Sequence, residues 1–242
     1  MSALLEVREL SKSFRGLKAV TQASFEVPHG GLVALIGPNG AGKTTIFNMV
    51  AGVYTPDGGE ILFSGKPIGG LRPDQICAAG IGRTFQIVKP FAGLSVIDNV
   101  IVGALLRTPS VAAAKKHAAA IVEKLGLGTK RDLPAASLTL PDRKRLEVAR
   151  ALATRPRLLL LDEVMAGITP TECDLMVEVF HELNRTDGLT ILLIEHVMRA
   201  VMALARQIVV LHHGEIIARG TPEQVVRDPA VLDCYLGEEA EV

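Results

Sequence analysis

A glycine-rich stretch in the first fifth of the chain has the residue types and the spacing of a loop that binds phosphate groups. Residues 37–44 fit the pattern G-x-x-x-x-G-K-[ST]. In such a loop the glycines let backbone N–H groups turn inward around the phosphates, the lysine adds a full positive charge, and the final hydroxyl can bind Mg²⁺. We therefore expect Lys43 to bind the β- and γ-phosphates of a nucleotide and Thr44 to bind Mg²⁺.

A pair of adjacent acids follows an apolar stretch later in the chain. Residues 158–161 are all leucine, and Asp162 and Glu163 come directly after them. Acids that are buried at the end of a strand need a cation or a hydrogen-bonding partner. We expect Asp162 to hold Mg²⁺ through water and Glu163 to be the base that polarises an attacking water. The alternative is an exposed pair that caps the following turn.

The elements that position these residues alternate between strand and helix. A short apolar run ended by glycine, residues 32–36, predicts a buried strand directly before the glycine-rich loop, and residues 44–51 have a helical pattern after it. Residues 171–183 have a second helical pattern between two later strands. This alternation predicts a mostly parallel sheet. The predicted strands are residues 4–10, 20–27, 32–36, 60–63, 158–161, 190–194 and 208–211.

The middle of the chain has a different character. From about residue 90 to residue 153 helical patterns dominate, and the sequence offers no strand candidates. This change predicts a helical lobe inserted into an α/β core. We expect one domain over residues 1–242, with the core at residues 1–86 and 156–242 and the helical insertion at residues 87–155.

The overall composition argues against several classes of protein. Lys plus Arg and Asp plus Glu are 26 each, so the formal net charge is zero, whereas a general nucleic-acid binder usually carries a basic excess. Apolar residues make up 48% of the chain, yet no apolar run approaches the ~18 residues that would span a bilayer. The three cysteines, Cys77, Cys173 and Cys234, lack the spacing of a zinc site or a disulfide framework. We therefore expect no nucleic-acid partner and no zinc.

In combination, these motifs resemble the ATP-binding subunits of ABC transporters. Residues 37–45, Gln86, the Asp162–Glu163 pair and His196 come in the order and at the spacing of that family. The resemblance implies an α/β fold, the P-loop NTPase fold of ABC ATPases. Such a fold has a RecA-like core, an antiparallel β subdomain and an inserted helical subdomain.

The resemblance also implies a role for each matching residue. Phe14 matches the aromatic ring that stacks on adenine, and the alternative is a core phenylalanine at a strand end. Gln86 matches a residue that contacts Mg²⁺ and the attacking water, and His196 matches a histidine that contacts the γ-phosphate. The alternatives are a surface glutamine and a structural histidine. The implied metal ligands are Thr44, Gln86 and Asp162, and the implied catalytic residues are Glu163, His196 and Gln86. The implied ATP-binding residues are Phe14, Gly37, Pro38, Asn39, Gly40, Ala41, Gly42, Lys43, Thr44 and Thr45.

Three further stretches indicate a subgroup of that family. Residues 80–86, 194–196 and 220–239 are similar to the ATPases that import branched-chain amino acids. The resemblance implies ATP and Mg²⁺ as cofactors, and ATP hydrolysis coupled to the import of such amino acids or of a related small amide or organic acid.

The same resemblance implies several partner chains. They are a second ATPase subunit, identical or different, in a head-to-tail dimer, two transmembrane permease subunits and, indirectly, a periplasmic or extracellular solute-binding protein. The chain would be a peripheral subunit on the cytoplasmic face of the inner membrane. We expect the permeases to dock in a groove near Gln86 and residues 87–91, whose apolar side chains suit such a contact.

One family motif is altered in this chain. The signature that ABC subunits present to the ATP of their partner is Leu-Ser-Gly-Gly-Gln, and its place is held by Leu138, Thr139, Leu140, Pro141 and Asp142. Thr139 keeps a hydroxyl, but a proline has no N–H to offer a phosphate, and a leucine side chain blocks close approach of the backbone. Intact catalytic residues beside an altered signature suggest two unequal ATP sites in a heterodimer. The alternative is that the altered motif is tolerated and both sites work.

Two other functions stay open at the level of the sequence. A P-loop kinase of small molecules would share the glycine-rich loop, but it has no use for Gln86 and His196. A cytosolic ABC ATPase that serves assembly rather than transport would share all of these motifs. The sequence of this chain does not determine the transported solute, because in such importers the binding protein and the membrane subunits select it.

Overall fold

A computed structural model describes residues 3–239, with the backbone alone for residues 236–239. The C-terminal end of the stretch 220–239 therefore lies outside the described side chains. The strands are β1 (Ala3–Phe14), β2 (Leu17–Pro28), β3 (Leu32–Ile36), β4 (Gly58–Phe63), β5 (Lys66–Pro67), β6 (Ile81–Arg83), β7 (Leu158–Asp162), β8 (Thr190–Ile194), β9 (Gln207–His212) and β10 (Glu215–Gly220). The helices are α1 (Lys43–Val50), α2 (Pro73–Ala79), α3 (Val96–Ala104), α4 (Val111–Lys124), α5 (Leu140–Ala153), α6 (Pro170–Asp187), α7 (Met198–Leu204), α8 (Pro222–Val225) and α9 (Pro229–Glu239), with 3₁₀ turns at Gly128–Lys130 and Ala135–Ser137.

The chain divides into two compact units. The first unit combines residues 1–76 with residues 190–242, and the second is residues 77–189. The predicted helical insertion, residues 87–155, lies inside the second unit, which also contains β6, β7 and α6.

The first unit contains an antiparallel sheet with the strand order β2-β1-β4-β5. Leu5 of β1 lies opposite Val27 of β2 and Phe63 of β4, and all three side chains are buried. Side chains of a strand point alternately to its two faces, so one face of this sheet can be apolar while the other meets solvent. This sheet confirms the expected antiparallel β subdomain.

The first unit also contains the strand that leads into the glycine-rich loop. β3 pairs in parallel with β8 on one side and with β9 on the other, and every residue of β3 and β8 is buried. Parallel strands that are covered on both faces appear in a sequence as unbroken apolar runs. β10 returns beside β9 as an antiparallel hairpin. The mostly parallel sheet that the sequence predicts is therefore confirmed.

The second unit combines a strand pair with the longest helices of the described chain. β6 and β7 pair in parallel, and α5 packs against α3 and α4. The approach of α3 to α5 is so close that a Cβ atom on Gly103 would lie 2.7 Å from the carbonyl oxygen of Arg150. A glycine is therefore needed at this crossing. α6 begins with a capping box between Thr169 and Glu172 and ends at Gly188, which has a left-handed φ of 64°.

Some elements escape the sequence analysis. β6 has only three residues, and they include a glycine and an arginine, so no apolar run marks it. The short helices α2 and α7 and the two-residue strand β5 also lie outside the predicted elements. Within residues 3–239, no helix combines the length and the apolar character that crossing a membrane requires.

Candidate functional site

The glycine-rich loop connects β3 to α1 in the first unit, as the sequence predicts. Gly37 and Gly42 have φ angles of 147° and 104°. A Cβ atom on Gly37 would overlap the carbonyl oxygen of Leu211, and a Cβ atom on Gly42 would overlap that of Ala19. Both positions therefore require glycine for two reasons, the backbone angle and the close neighbour.

Lys43 lies inside the curve of this loop. Its side chain is buried, with 6% of the residue exposed, and Nζ donates hydrogen bonds to the carbonyl oxygens of Gly37 (2.6 Å) and Pro38 (2.7 Å). Lys43 is also the first residue of α1, where N–H groups that lack an intrahelical partner favour an anion. Thr44, the next residue, is exposed. A loop that holds a buried ammonium group at a helix N-terminus has the features of a phosphate-binding loop.

Phe14 lies at the end of β1, where 38% of the residue is exposed. The exposure rules out the alternative of a buried core phenylalanine. The ring of Tyr54 meets it edge to face, with centroids 5.1 Å apart and planes at 68°. Lys12 Nζ lies 5.6 Å from the centroid of the Phe14 ring. Tyr54 was not found from the sequence, because forty residues separate it from Phe14.

His196 follows the end of β8 and is exposed. Because β3 and β8 are parallel neighbours, their carboxyl ends lie at the same edge of the sheet, which is where α/β folds bind ligands. The glycine-rich loop and His196 thus leave the sheet at one edge. The fold therefore brings the loop that contains Lys43 and the residue His196 to the same end of the first unit.

The second unit holds the two predicted acids, and Asp162 is the more buried. Only 3% of Asp162 is exposed. Its Oδ2 accepts a hydrogen bond from Arg83 Nη2 (3.0 Å), and its backbone N–H donates to Thr84 Oγ1 (3.1 Å). Burial raises the pKa of Asp162, and the Arg83 guanidinium opposes that rise. Arg83 and Thr84 were missed by the sequence analysis because they reach Asp162 only through the pairing of β6 with β7.

Glu163 lies beside Gln86 in the second unit. Gln86 Nε2 donates a hydrogen bond of 2.6 Å to Glu163 Oε2. The backbone of Glu163 has a left-handed φ of 49°, and its carbonyl oxygen accepts a hydrogen bond of 2.8 Å from the buried Lys144. A non-glycine residue in this region of φ is uncommon and is often found at functional sites. The fold therefore joins two residues that the sequence singled out separately.

The three predicted Mg²⁺ ligands have suitable chemistry. Mg²⁺ prefers oxygen ligands, and it is usually held by one or two carboxylates together with phosphate oxygens and water. Thr44 offers an exposed hydroxyl, Asp162 a buried carboxylate and Gln86 an amide oxygen. Burial of the Asp162 carboxylate makes its ionised form costly, and a cation would offset that cost. Each of these side chains, taken by itself, offers an oxygen of the kind that Mg²⁺ prefers.

The altered signature forms the start of α5. Thr139 is the N-cap residue, Pro141 lies in the first turn, and Leu140 is exposed. The buried Asp142 carboxylate accepts hydrogen bonds from Lys130 Nζ (2.5 Å) and Thr139 Oγ1 (2.8 Å). Burial acts to raise the pKa of Asp142, but these two hydrogen bonds together with the positive charges of Lys130 and Arg145 outweigh it, so the pKa is lowered. The Thr139 hydroxyl therefore donates within its own chain, to an ionised carboxylate.

An exposed apolar loop contains Gln86 and the residues that follow it. We use the name apolar loop for residues 85–94, in which Phe85, Ile87, Phe91 and Leu94 are all exposed, Ile87 to 70%. The buried Asn99 holds the end of this loop, because its side chain accepts from the Phe91 N–H (2.8 Å) and donates to the Phe91 carbonyl oxygen (3.1 Å). The apolar side chains expected at a docking surface are therefore on the outside of the protein.

Comparison with known proteins adds two family profiles. Residues 20–166 match the family described as ABC transporter. Residues 215–241 match the family described as branched-chain amino acid ATP-binding cassette transporter.

Individual relatives match along nearly the whole chain. The high-affinity branched-chain amino acid transport ATP-binding protein LivG of Escherichia coli K12 is 41% identical, over 97% of this chain and 98% of its own length. The corresponding protein BraF of Pseudomonas aeruginosa is 39% identical over the same shares. A solved ATP-binding cassette of an ABC transporter in its ADP conformation is 30% identical, with a TM-score of 0.89 over 98% of this chain and 100% of that one. The chain therefore belongs to the ABC transporter family, as one of its ATP-binding and ATP-hydrolysing subunits.

Proposed function

We propose that this chain powers the import of branched-chain amino acids, or of a related small amide or organic acid. The names of its full-length relatives and the family profile over residues 215–241 support this choice of solute. Membership of the ABC family removes the small-molecule kinase from consideration.

The observation that carries the catalytic part of the proposal is the hydrogen bond between Gln86 and Glu163. Glu163 serves as the base that takes a proton from the attacking water. Gln86 Nε2 holds one oxygen of that carboxylate and so orients it. The left-handed backbone at Glu163 supports this role, because such strain persists where the surroundings fix it.

The nucleotide is held by the first unit. Lys43 and the N–H groups at the start of α1 bind its phosphates, and Phe14 stacks on the adenine. His196 contacts the γ-phosphate and stabilises the charge that develops there. Thr44, Gln86 and Asp162 would hold Mg²⁺, which would neutralise charge on the phosphate oxygens.

The partners and the location of the chain follow from this role. The chain pairs with a second ATPase subunit and with two transmembrane permease subunits, and a solute-binding protein delivers the solute to those permeases. The apolar loop supplies the docking surface for the permeases. The subunit then lies on the cytoplasmic face of the inner membrane.

The altered signature makes the two ATP sites of the dimer unequal. A helix N-terminus offers phosphate its first N–H groups, and Pro141 removes one of them. The Thr139 hydroxyl already donates to Asp142, and the exposed Leu140 side chain occupies the place of a glycine. The ATP bound by the partner subunit faces the altered signature of this chain, so it meets fewer hydrogen-bond donors. The ATP bound by this chain faces the intact signature of the partner subunit. Loss of one such donor costs roughly 3–4 kcal/mol in the transition state.

Separate substitutions of the two catalytic acids test this inequality. Glu163→Gln should reduce ATP turnover of the assembled transporter on the order of 100-fold or more, because a general base is lost. The same change at the matching acid of the partner should cost much less. Phosphate release by the purified transporter measures both, with Glu182→Gln, an exposed acid on α6, as the control. Equal losses from the two catalytic changes would mean that both sites work alike.

Uptake by intact cells tests the transport function. Cells that lack this chain should lose energy-dependent uptake of labelled leucine, isoleucine or valine. The wild-type gene should restore uptake, and the Glu163→Gln gene should not. Unchanged uptake of all three amino acids in the deletion strain would contradict the proposed solute, and an amide or organic acid panel would then replace them. Normal uptake of every tested solute would contradict a role in import.

A further inference from the structure

A pocket of about 240 Å³ lies in the second unit, and none of the residues assigned above to ATP, Mg²⁺ or the signature lines it. Its apolar lining comes from α4, α5, α6 and the residue before β8, namely Ile121, Leu152, Leu183 and Leu189. All four are buried. Pockets for drug-sized ligands occupy roughly 300–1,000 Å³, so this pocket suits a smaller molecule with an apolar part.

Charged groups line the same pocket. Lys124 and Asp187 form an ion pair of 2.8 Å, so each largely neutralises the other. Arg155 donates from Nε to His117 Nε2 (3.4 Å), and burial together with Arg155 lowers the pKa of His117. Arg155 is exposed, and within the described part of the chain its two terminal nitrogens have no hydrogen-bond acceptor. The lining thus has a net positive charge that resides on Arg155, with the planar pair of donors that a carboxylate accepts best.

The backbone at Arg155 sets this residue apart from the residues at the other two helix ends beside the pocket. The three helices around the pocket each end with a left-handed residue: Gly126 after α4 (φ 69°), Gly188 after α6 (φ 64°) and Arg155 after α5 (φ 50°). Glycine is the usual residue at this position because it has no Cβ atom to strain the backbone. Two of the three ends follow the rule. The third keeps an arginine that lines the pocket, at a cost in backbone strain.

We propose that this pocket binds a small monocarboxylate with a short apolar tail. The carboxylate pairs with the terminal nitrogens of Arg155, and the tail packs against Ile121, Leu152 and Leu183. A zwitterionic amino acid fits less well, because the one acid of the lining, Asp187, is already paired with Lys124. The residues that line this pocket take no part in the proposed hydrolysis of ATP.

Methyl NMR of the intact chain tests the proposal. With 4-methyl-2-oxopentanoate as the probe, the methyl signals of Ile121 and Leu183 should shift in a saturable way. The Arg155→Gly variant should bind at least tenfold more weakly. The same variant should keep or raise its thermal midpoint, because glycine is the favoured residue at that backbone angle. Loss of binding is thereby separated from loss of folding.

Matched controls identify what the pocket recognises. Lys116→Gln removes an exposed cation from α4 outside the lining and should leave binding unchanged. The neutral analogue 4-methylpentanamide should bind at least tenfold more weakly than the carboxylate. The proposal is overturned by an absence of saturable shifts, by Arg155→Gly binding as well as the wild type, by equal binding of the amide, or by leucine binding more tightly than the oxo acid.

Discussion

The Lys43 side chain is held by carbonyl oxygens of its own loop, so substitution of this lysine should weaken nucleotide binding. Lys43→Ala removes the buried ammonium that is expected to meet the phosphates. A hydrogen bond to a charged group is worth about 1.5–3 kcal/mol, so ATP affinity should fall on the order of 100-fold. Titration calorimetry with MgATP measures the effect. Lys66→Ala, an exposed lysine on β5, is the control, and normal ATP affinity of Lys43→Ala would refute the role of the loop lysine.

Phe14 and Tyr54 form an exposed aromatic pair, and the proposed stacking of adenine on Phe14 can be tested separately from phosphate binding. Phe14→Ala should weaken ATP binding by about 0.5–1.5 kcal/mol, the usual contribution of an aromatic contact beyond its buried area. Phe14→Tyr should bind ATP normally because it retains the flat ring. Affinity for inorganic triphosphate should be the same in all three proteins. A matching loss of triphosphate affinity in Phe14→Ala would show that the substitution disturbs the loop rather than the base contact.

At the scale of the elements, the sequence predicts the strands that are unbroken apolar runs. β3, β7 and β8 are of this kind, and the loop after β3 has a motif whose spacing is specific. The predictions fail where an element is short and is recognisable as a strand only by its pairing with a strand that is distant in the sequence. β6 is identifiable only through its pairing with β7, 77 positions away at Ile81 and Leu158.

The candidate site shows the same division. Lys43 lies in one short sequence motif, and Asp162 and Glu163 lie in another. All residues of each motif are within a few positions of one another. Tyr54 and Lys144 are part of no such motif, and they join the site residues only through tertiary contacts. A single sequence does not encode those contacts in any local pattern.

The start of α6 allows a test of local stability. Thr169 Oγ1 and the Thr169 backbone N–H both contact Glu172 Oε2 at 2.8 Å, and the Glu172 N–H reaches back to Thr169 Oγ1. Thr169→Ala should lower the free energy of unfolding by about 1 kcal/mol, the usual value of an N-cap. Urea denaturation measures it. Thr171→Ala, at an exposed position two residues later, should change stability little, and an equal effect of both changes would contradict the capping role.

At the scale of the whole molecule, the apolar loop is the surface that a permease would cover. Phe91 is exposed, and the Arg150 guanidinium lies 5.0 Å from its ring centroid. Phe91→Asp places a charge in the proposed interface, so solute uptake should fall at least tenfold while ATP affinity of the isolated chain stays the same. Leu17→Asp changes another exposed apolar residue, which is 72% exposed, and should leave uptake intact. Unimpaired uptake by Phe91→Asp would remove the apolar loop from the interface.

The exposure of Phe85, Ile87 and Phe91 also governs how the isolated chain behaves in solution. Apolar side chains that are grouped at a surface attract one another when no partner covers them. Electrostatic repulsion usually limits such attraction, but this chain has a formal net charge of zero at pH 7, where colloidal repulsion is weakest. A preparation of the chain without its permeases should therefore self-associate most readily near neutral pH, and it should become more soluble as the buffer moves away from the isoelectric point.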